Sequence, residues 1–523
     1  GVGGMDVALL VVAADEGWMP QSEEHMAVLD LLEIQHGVVA LTRIDVAEPD
    51  IIELAGLEVE EKLSGTSLEG WPVLPVSAKT GAGLDDLRRA LADALRRAGR
   101  PANSGRTRMW IDRSFVISGA GVVVTGTLLD GDLQRGDGVE IWAGSRPHGA
   151  RVRTLQSHEE EVETAFPGSR VAANLSGLDR ADIPRGSLMA LPHQAAVSSR
   201  LLVSARPVRN VDAISDRGAY QLHAGSGAWP VRVRSINPTT LLVSSEQSLP
   251  LLCGDRYILR ETGRRAVVGG GRVLDQRPLR ANAAVLEAAA ARLGPALSGP
   301  PDHLADVLLE VRGEASELEI DQDTHGGRPP AAVRARGRLL HPEQAETIGD
   351  ALAAAVTEFH AANPLRAGIP KASLASAHDL GIAMLDAVLA MRDDLADDGS
   401  TVRSIAHSTT WSDEDESAWN AASDLLTQSG LAAPRASQLG LRTELLHAAI
   451  RDGRLIRVAD DLVYLPQQLD DLIVNLGSLP SEFTVADFRD TMEISRRQAV
   501  PLLEWLDSER VTSRSGDLRS LRR

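Results

Sequence analysis

One carboxylate near the start of the chain, Asp45, stands where a nucleotide base can be read. It closes the stretch LTRID, directly after the apolar run from Gly37 to Leu41. A carboxylate at such a strand end either caps the turn or helix that follows, or accepts hydrogen bonds from the N1–H and amino groups of guanine. Adenine does not offer that pair of donors. Alone, Asp45 leaves both interpretations open.

In addition to the carboxylate, a guanine site needs a backbone N–H for O6 of the base and a side chain that covers the ring, and a second segment can supply both. Guanine sites usually carry Asn-Lys-x-Asp at a strand end, and this chain keeps a cation and the carboxylate but has no Asn. The next predicted strand, Val73 to Ser77, leads into Ala78 and Lys79. The carboxyl ends of neighbouring parallel strands meet at one edge of a sheet, so an Ala backbone N–H can meet guanine O6 and a Lys stem can cover the ring. The predicted guanine site is Thr42, Arg43, Asp45, Ser77, Ala78 and Lys79.

The phosphate-binding half of such a site has no counterpart in the sequence. No GxxxxGK[ST] motif occurs among the 523 residues, so no predicted loop cradles phosphates or positions magnesium. We therefore predict no catalytic residues in this chain, and we expect the Mg²⁺ ligands of a GTP site to lie before Gly1.

Composition excludes several other classes of protein. The net charge of −19 argues against non-specific wrapping of nucleic acid, although it allows a local basic patch. The single cysteine, Cys253, excludes an intrachain disulfide framework and a multi-cysteine zinc site, and the histidines show no metal-ligand spacing. Apolar runs are too short for a membrane span, so we expect a soluble, cytoplasmic protein.

The chain changes its periodicity twice. Residues 1–100 alternate apolar strands with amphipathic helices, which predicts a parallel sheet with strands Val7–Ala14, Gly37–Thr42 and Val73–Ser77. From Met109 to about Asp275, short strands separated by Gly and Asp turns predict two small β-barrels. Beyond Leu279 the sequence becomes helical and rich in alanine.

An internal repeat near the end predicts winged helices. The stretch IRDGRLIRVADDLVYL, from Ile450, aligns without gaps with LDSERVTSRSGDLRSL, from Leu506. Each copy ends a helix and continues as strand, two-residue turn and strand. Val458 and Val463 of the first copy become Arg514 and Arg519 in the second. This enrichment predicts a nucleic-acid contact, although a solvated basic C-terminus is the alternative.

The helix before the last hairpin adds two candidate contacts. Arg496 and Arg497 follow Ser495, a predicted helix start, and a helix N-terminus favours phosphate groups. A small module of this kind is better suited to an RNA hairpin with splayed bases than to duplex DNA.

Longer segments resemble translational GTPases of the elongation factor Tu class. DVALLVVAADEGWMPQSEEHMAVLDLL resembles the strand, loop and helix that follow the DxPGH segment in that class. FVISGAGVVVTGTLLDGDLQRGD resembles its second domain, with Gly119, Gly121, Gly131 and Gly136 at expected turns. RYILRETGRRAVVGGGRVLD resembles the end of its third domain. With the winged-helix tail, the chain is identified as a member of the selenocysteine-specific elongation factors, as a fragment without the phosphate loop.

The resemblance implies an architecture and a function. The fold class is multidomain: the remnant of an α/β P-loop GTPase domain, two β-barrels corresponding to domains II and III, and tandem winged helices. The implied domains are 1–103, 104–193, 194–279, 280–345, 346–410, 411–466 and 467–523, the last binding an mRNA hairpin. The implied partners are GTP with Mg²⁺, selenocysteyl-tRNA, the selenocysteine-insertion hairpin and the ribosome, bound by a monomer that contacts no membrane.

The resemblance also implies a pocket for the amino acid. The family's pocket residues correspond to Asp112, Arg113 and Arg170. Selenocysteine is anionic at neutral pH whereas serine is neutral, so guanidinium groups can separate the two. Two alternatives stay open: an elongation-factor-Tu-class GTPase without selenocysteine specificity, and a winged-helix nucleic-acid-binding regulator whose α/β part is only scaffold.

Overall fold

The structure, a computed structural model, describes residues 4–101, 103–117, 121–209 and 211–522. The chain divides into two compact units, Gly1–Gln344 and Ala345–Arg523. The first unit holds an α/β part, two β-barrels and a helical segment, and the second holds further helices and short hairpins.

The α/β part has the predicted parallel sheet. Its strands are β1 (Ala8–Ala13), β2 (Gly37–Thr42) and β3 (Val73–Pro75), and its helices are α1 (Pro20–Leu31), α2 (Pro49–Leu63) and α3 (Leu84–Ala98). The strands pair in the order β1-β2-β3, both times in parallel. The central strand β2 is buried along almost its whole length, which explains its unbroken apolar sequence. The carboxyl ends of β2 and β3 therefore lie at one edge.

Two closed six-stranded barrels follow. The strands of the first segment are β4 (Arg108–Ile117), β5 (Gly121–Asp130), β6 (Leu133–Gln134), β7 (Gly138–Trp142), β8 (Pro147–Ser157), β9 (Glu160–Val162), β10 (Thr164–Ala165), β11 (Arg170–Ser176) and β12 (Leu188–Ala190). The strands of the second are β13 (Ser198–Ser204), β14 (Arg206–Pro207), β15 (Tyr220–Ala224), β16 (Gly227–Asn237), β17 (Thr240–Leu249), β18 (Arg256–Glu261) and β19 (Ala266–Asp275).

Pairing between the first and last members closes each barrel. The first runs β11-β5-β4-β12-β7-β8 and closes from β8 to β11, and the second runs β13-β17-β16-β15-β18-β19 and closes from β19 to β13. Gly131 shows why glycine is needed at one turn: its φ is +65°, and an added Cβ would lie 2.3 Å from the backbone nitrogen of Thr107. Gly119 lies outside the described residues.

The remainder consists of helices with short sheets. Up to residue 404 the elements are α4 (Ala283–Ala296), α5 (Pro301–Arg312), β20 (Glu314–Ser316), α6 (Glu317–Asp323), β21 (Val333–Ala335), β22 (Arg338–Leu340), α7 (Pro342–Ala362), β23 (Ile369–Pro370), α8 (Lys371–Ala377), α9 (Ile382–Leu389), β24 (Leu395–Asp397) and β25 (Thr401–Ser404). Beyond it they are α10 (Asp413–Ser429), α11 (Thr443–Arg451), β26 (Ile456–Ala459), β27 (Leu462–Tyr464), α12 (Pro466–Asn475), β28 (Glu482–Thr484), α13 (Val485–Thr491), α14 (Arg496–Ser508), β29 (Thr512–Ser515) and β30 (Leu518–Leu521).

The last set, α12 to β30, forms a winged helix. A strand follows the first helix, two helices come next, and a hairpin completes a sheet of order β28-β30-β29. Thr484 and Asp487 cap α13 reciprocally. Helix α14 begins after Ser495, but the Ser495 hydroxyl donates to Gln498 instead of capping the helix. On α14 Leu502 is buried, whereas Val500 is only half-buried.

The earliest helical segment departs from the winged-helix pattern. Its sheet has the order β20-β22-β21, but residues 324–332, all of them described, contain no helix where a third helix is expected. The stretch contains Gly326-Gly327 and Pro329-Pro330, and these residues do not sustain a helix.

A buried ionic cluster joins this segment to the second barrel. Arg312, at the end of α5, contacts Asp275 at the end of β19 and Asp323 at the end of α6. The exposed fractions of the three side chains are 5%, 1% and 0%. Arg277 also contacts Asp323. Burial lowers the pKa of Arg312, but the two carboxylates outweigh it and raise that pKa. The guanidinium is therefore charged, and the cluster holds only while each charge is matched.

Among the described residues, no single helix has the length and apolar composition needed to cross a membrane. Two consecutive helices that meet at a bend, Lys371–Ala377 and Ile382–Leu389, reach that length and apolar composition only when they are taken together.

The Asp323→Ala substitution should destabilise the first unit strongly. It leaves the buried guanidinium of Arg312 with Asp275 alone and removes the closest counterion of Arg277. Breaking a buried ion pair in this way typically costs about 3–5 kcal/mol. Thermal unfolding of the full chain should show that unit's transition lowered by several degrees. Glu317→Ala is the control, because Glu317 pairs with Arg334 at the surface and exposed pairs contribute about 0–1 kcal/mol. Equal shifts for both variants would contradict the expectation.

Candidate functional site

The two halves of the predicted guanine site meet in the structure. The Ser77 hydroxyl, just beyond β3, donates to Oδ1 of Asp45 at 2.8 Å. Lys79 Nζ lies 3.9 Å from the other carboxylate oxygen. The Asp45 side chain is only 15% exposed, whereas that of Lys79 is 82% exposed. A carboxylate held in this way can accept two parallel hydrogen bonds, and a mobile lysine stem beside it can cover a ring.

The surroundings keep Asp45 ionised. The pKa of Asp45 lies below the ordinary value, mainly because Ser77 donates a hydrogen bond to the carboxylate. Burial opposes this effect less strongly than the Ser77 hydrogen bond promotes it, and the charges of Lys79 and Arg43 lower the pKa further. An ionised carboxylate is the form that guanine requires.

The other members of the predicted set have different roles. The Thr42 hydroxyl donates to the carbonyl of Val12 at 3.2 Å, so it joins β2 to β1. Arg43 takes a left-handed backbone conformation with φ of 65° and pairs with Asp15 and Glu16 at 2.7 and 2.9 Å. Its guanidinium is directed to the loop after β1. Ala78 is exposed beside Ser77.

A cleft with three guanidinium groups lies on the first barrel. Its volume is about 530 Å³, and it is lined by Asp112–Phe115 of β4 and by Arg180, Ile183, Pro184 and Arg185 before β12. The pairing of β4 with β5 shifts register between Ile111 and Arg113, so Asp112 occupies a bulge. Bulges redirect side chains at functional positions. Among the described residues no ion pair joins Arg113, Arg180 or Arg185 to a carboxylate.

Arg170 is engaged by Asp112 and does not line the cleft. Its guanidinium donates to both carboxylate oxygens, at 2.6 and 3.0 Å, and Thr125 donates to the same carboxylate at 2.8 Å. Burial raises the pKa of Asp112, but these hydrogen bonds outweigh it and lower that pKa. The pair is therefore ionic near neutral pH and ties β4 at Asp112 to Arg170 of β11. Of the predicted pocket, Arg113 alone supplies an unmatched positive charge.

The four predicted RNA contacts divide into two kinds. Arg496 and Arg514 are exposed. Arg497 donates to the carbonyl of Ala433 at 2.9 Å, which anchors the start of α14 to the preceding module. Arg519 was expected at the RNA surface, but its side chain is 5% exposed and donates to Asp507 at 2.9 Å. It lies on the face of the hairpin that packs against α14, so it is a buried residue of the module.

Sequence reasoning missed Arg180 and Arg185. Both lie in LDRADIPRGS, where nothing about their spacing distinguishes them from the many other arginines of this chain. The fold places them with Arg113 in the lining of one cleft.

Comparison with known proteins identifies the class. Residues 1–97 match the family described as the elongation factor Tu GTP binding domain, and residues 476–521 match that of the elongation factor SelB winged helix. The selenocysteine-specific elongation factor of Desulfomicrobium baculatum is 31% identical over 100% of this chain and 88% of its own length. The chain belongs to the selenocysteine-specific elongation factor family. The Escherichia coli (strain K12) member is 26% identical over 100% of this chain and 87% of its own length.

A solved structure agrees at the level of the fold. The crystal structure of a bacterial selenocysteine-specific elongation factor, EF-Sec, aligns with a TM-score of 0.73 at 23% identity and covers 100% of this chain and 87% of that one. As a selenocysteine-specific elongation factor, the chain is a translation factor of the GTP-binding class with a winged-helix C-terminus.

The residues present fit the base of the nucleotide and not its phosphates. The carboxylate of Asp45, held by Ser77, is suited to accept hydrogen bonds from guanine. The side chain of Lys79 beside it is suited to cover the ring. No GxxxxGK[ST] motif exists in the sequence, and the described residues contain no cluster of His, Cys, Asp or Glu suited to a metal ion.

The Ser77→Ala substitution should raise the pKa of Asp45 toward the ordinary value. A carboxylate whose folded pKa is lowered stabilises the fold above its unfolded pKa, and this contribution is lost as the pH falls through the folded pKa. Ser77→Ala should therefore lower the thermal unfolding midpoint near neutral pH, and its difference from the wild type should shrink as the pH falls below about 4. The shrinkage should vanish in an Asp45→Ala background. A pH dependence that persists there would show that another group is responsible.

Proposed function

We propose that this chain binds selenocysteyl-tRNA through the arginine-lined cleft of the first barrel and delivers it to the ribosome at a recoded UGA codon. In this proposal Asp45 recognises the base of GTP, and the last winged helix holds the mRNA hairpin that marks the codon. The observation that carries it is the cleft itself, where Arg113, Arg180 and Arg185 converge without carboxylate partners among the described residues.

The charge of the cleft suits the amino acid. A selenol is more acidic than a thiol, so selenocysteine carries a negative charge at neutral pH while its serine precursor carries none. Guanidinium groups form charge-assisted hydrogen bonds with an anion, and the neutral hydroxyl of serine gains little from them. Specificity then comes from the difference between the two binding free energies, because the neutral seryl group leaves the positive charges of the cleft without an anionic partner.

The Asp112–Arg170 pair has a supporting role in this proposal. Asp112 accepts hydrogen bonds from both Arg170 and Thr125, which fixes the bulge from which Arg113 extends. With its positive charge matched, Arg170 attracts an anion less than Arg113 does. Arg170 therefore acts mainly by positioning β4.

The nucleotide part of the proposal concerns the base alone. Without a phosphate loop in the sequence, this chain holds guanine through Asp45, Ser77 and Lys79 and lacks the loop that cradles the phosphates and positions Mg²⁺. We infer that it binds guanine nucleotides weakly and does not hydrolyse GTP by itself.

The tail supplies two separated positive points for RNA. Arg496 lies at the start of α14 and Arg514 lies on the hairpin, and both are exposed. In a chain of net charge −19, such points give a local attraction for phosphate without general affinity for nucleic acid.

The Arg113→Ala substitution tests the aminoacyl cleft. We expect it to weaken binding of selenocysteyl-tRNA by roughly thirtyfold, the equivalent of about 2 kcal/mol for a charge-assisted hydrogen bond, and binding of the seryl form much less. Equilibrium binding with the same tRNA carrying either amino acid measures the difference. Arg146→Ala removes the same charge from an exposed loop of this barrel and should affect neither ligand. We expect Arg170→Ala to reduce selenocysteyl-tRNA affinity selectively as well, to a smaller extent. Equal losses for both aminoacyl forms would contradict the proposed specificity.

The Asp45→Ala substitution tests the guanine site. GDP should bind the wild-type chain more tightly than ADP, and the variant should lose at least about tenfold of its GDP affinity with no change for ADP. Asp50→Ala, at the exposed first turn of α2, removes a charge nearby and should leave GDP binding unchanged. Equal affinity of the wild type for both nucleotides would overturn the site, and GTP turnover at an ordinary enzymatic rate would overturn the inferred inactivity.

A further inference from the structure

Beside the apolar packing of the last winged helix, one carboxylate of α14, Asp507, accepts hydrogen bonds from both strands of its hairpin. Its Oδ1 accepts from the Thr512 hydroxyl at 2.6 Å, and its Oδ2 accepts from Nε of Arg519 at 2.9 Å. Thr512 belongs to β29 and Arg519 to β30, so one side chain near the end of α14 holds both strands of the hairpin. We name Asp507, Thr512 and Arg519 the wing clamp.

Two of the three side chains of the wing clamp lie inside the module, and that of Asp507 is 23% exposed. Thr512 is 1% exposed and the Arg519 side chain is 5% exposed. A buried guanidinium is tolerated only with a counterion, so removing Asp507 would leave Arg519 uncompensated. The clamp is therefore a built feature of the hairpin and not a surface ion pair.

The register directs the clamp toward Arg514. Arg514 lies directly opposite Arg519 in the hairpin, and Thr512 lies two residues before it on the same strand. Directly opposite residues and residues two apart share one face of a sheet, so Thr512, Arg514 and Arg519 lie on one face. Like charges in opposite positions repel, and Asp507 neutralises the buried member of this pair. The exposed member, Arg514, is then left with its charge available to a ligand.

The preceding module shows a hairpin without this device. In the gapless repeat, Arg451 and Val463 occupy the positions of Asp507 and Arg519. Val463 is 0% exposed, so the same position is buried in both modules but is apolar in one and ionic in the other. An apolar contact is sufficient to pack such a hairpin. The ionic version in the last module adds direction, because hydrogen bonds from two strands to one carboxylate allow little rotation.

We propose that Asp507 is a positioning residue for RNA recognition: the wing clamp sets the angle of the hairpin on α14, so that Arg514 and Arg496 contact the phosphate backbone of one RNA hairpin together. Arg496 precedes Asp507 by eleven residues on the same helix, which corresponds to about 17 Å along its axis. The clamp thus fixes the separation between the two contacts. This inference rests on the proposed mRNA-binding function of the tail.

The test replaces the clamp with apolar residues in the full chain. The variant Asp507→Leu, Thr512→Val, Arg519→Val keeps the packing and removes the ionic anchor, and such replacements often preserve stability. The probe is a labelled RNA hairpin taken from immediately downstream of an in-frame UGA codon in the source organism. We expect the thermal midpoint to stay near that of the wild type and the RNA affinity to fall about tenfold, as for loss of one phosphate contact.

A double-mutant cycle separates positioning from general weakening. If the clamp sets the separation between Arg514 and Arg496, its loss should reduce affinity little further in either an Arg514→Ala or an Arg496→Ala background, because each of these variants already removes one of the two contacts. Glu416→Gln is the matched control, because it breaks the Arg454–Glu416 ion pair of the preceding module and should leave RNA affinity unchanged. If the apolar variant does not fold, Asp507→Asn is carried through the same cycle, and Asp507→Glu should restore part of the affinity.

Each outcome bears on a distinct claim. A clamp variant that folds and binds the hairpin as tightly as the wild type would overturn the positioning role and leave the RNA-binding function intact. The positioning role would also be overturned if loss of the clamp lowered RNA affinity equally in the wild-type and the Arg514→Ala backgrounds. Failure of the wild-type chain to bind the hairpin at all would overturn the proposed tail function, and the role of the clamp with it.

Discussion

The buried contact of Arg312 with Asp275 and Asp323 is the interaction on which the continuity of the first unit depends. It joins the final strand of the second barrel to helices that, by sequence periodicity alone, belong to another module. Charges removed from water are costly unless each meets an opposite charge in good geometry. The ends of β19, α5 and α6 can therefore meet in few other ways. A purely apolar contact would allow more sliding between barrel and helices.

The same rule divides the arginines of the candidate sites. Arg170 and Arg519 each meet a carboxylate through short hydrogen bonds and serve the fold. Arg113, Arg496 and Arg514 have no such partner among the described residues and are left with charge for a ligand. Arg106, Arg108 and Arg312 are likewise paired with carboxylates and serve the fold. Arginine content alone therefore does not indicate a binding site in this chain.

The α/β part and the guanine site could be predicted from the sequence, because both depend on the order of strands and helices along the chain. Apolar runs separated by helices require parallel strands, and parallel strands bring their carboxyl ends to one edge. The meeting of Asp45 with Ser77 follows from that geometry. The cleft on the first barrel was only partly predictable, since Arg180 and Arg185 reach Arg113 through the pairing of β12 with β4, two strands distant in the chain. Spacing along the chain contains no trace of such a contact.

The repeat near the C-terminus shows why the remaining error arose. Comparing two copies correctly marked positions 463 and 519 as equivalent, but the change from valine to arginine was interpreted as a change from core to surface. Both positions are buried, at 0% and 5% exposure. What changed is the nature of the partner, from apolar neighbours to Asp507. A buried arginine is accompanied by an acid, and Asp507 stands where the other copy has Arg451. The paired substitution, rather than the arginine alone, is the signal that distinguishes an internal anchor from an RNA contact.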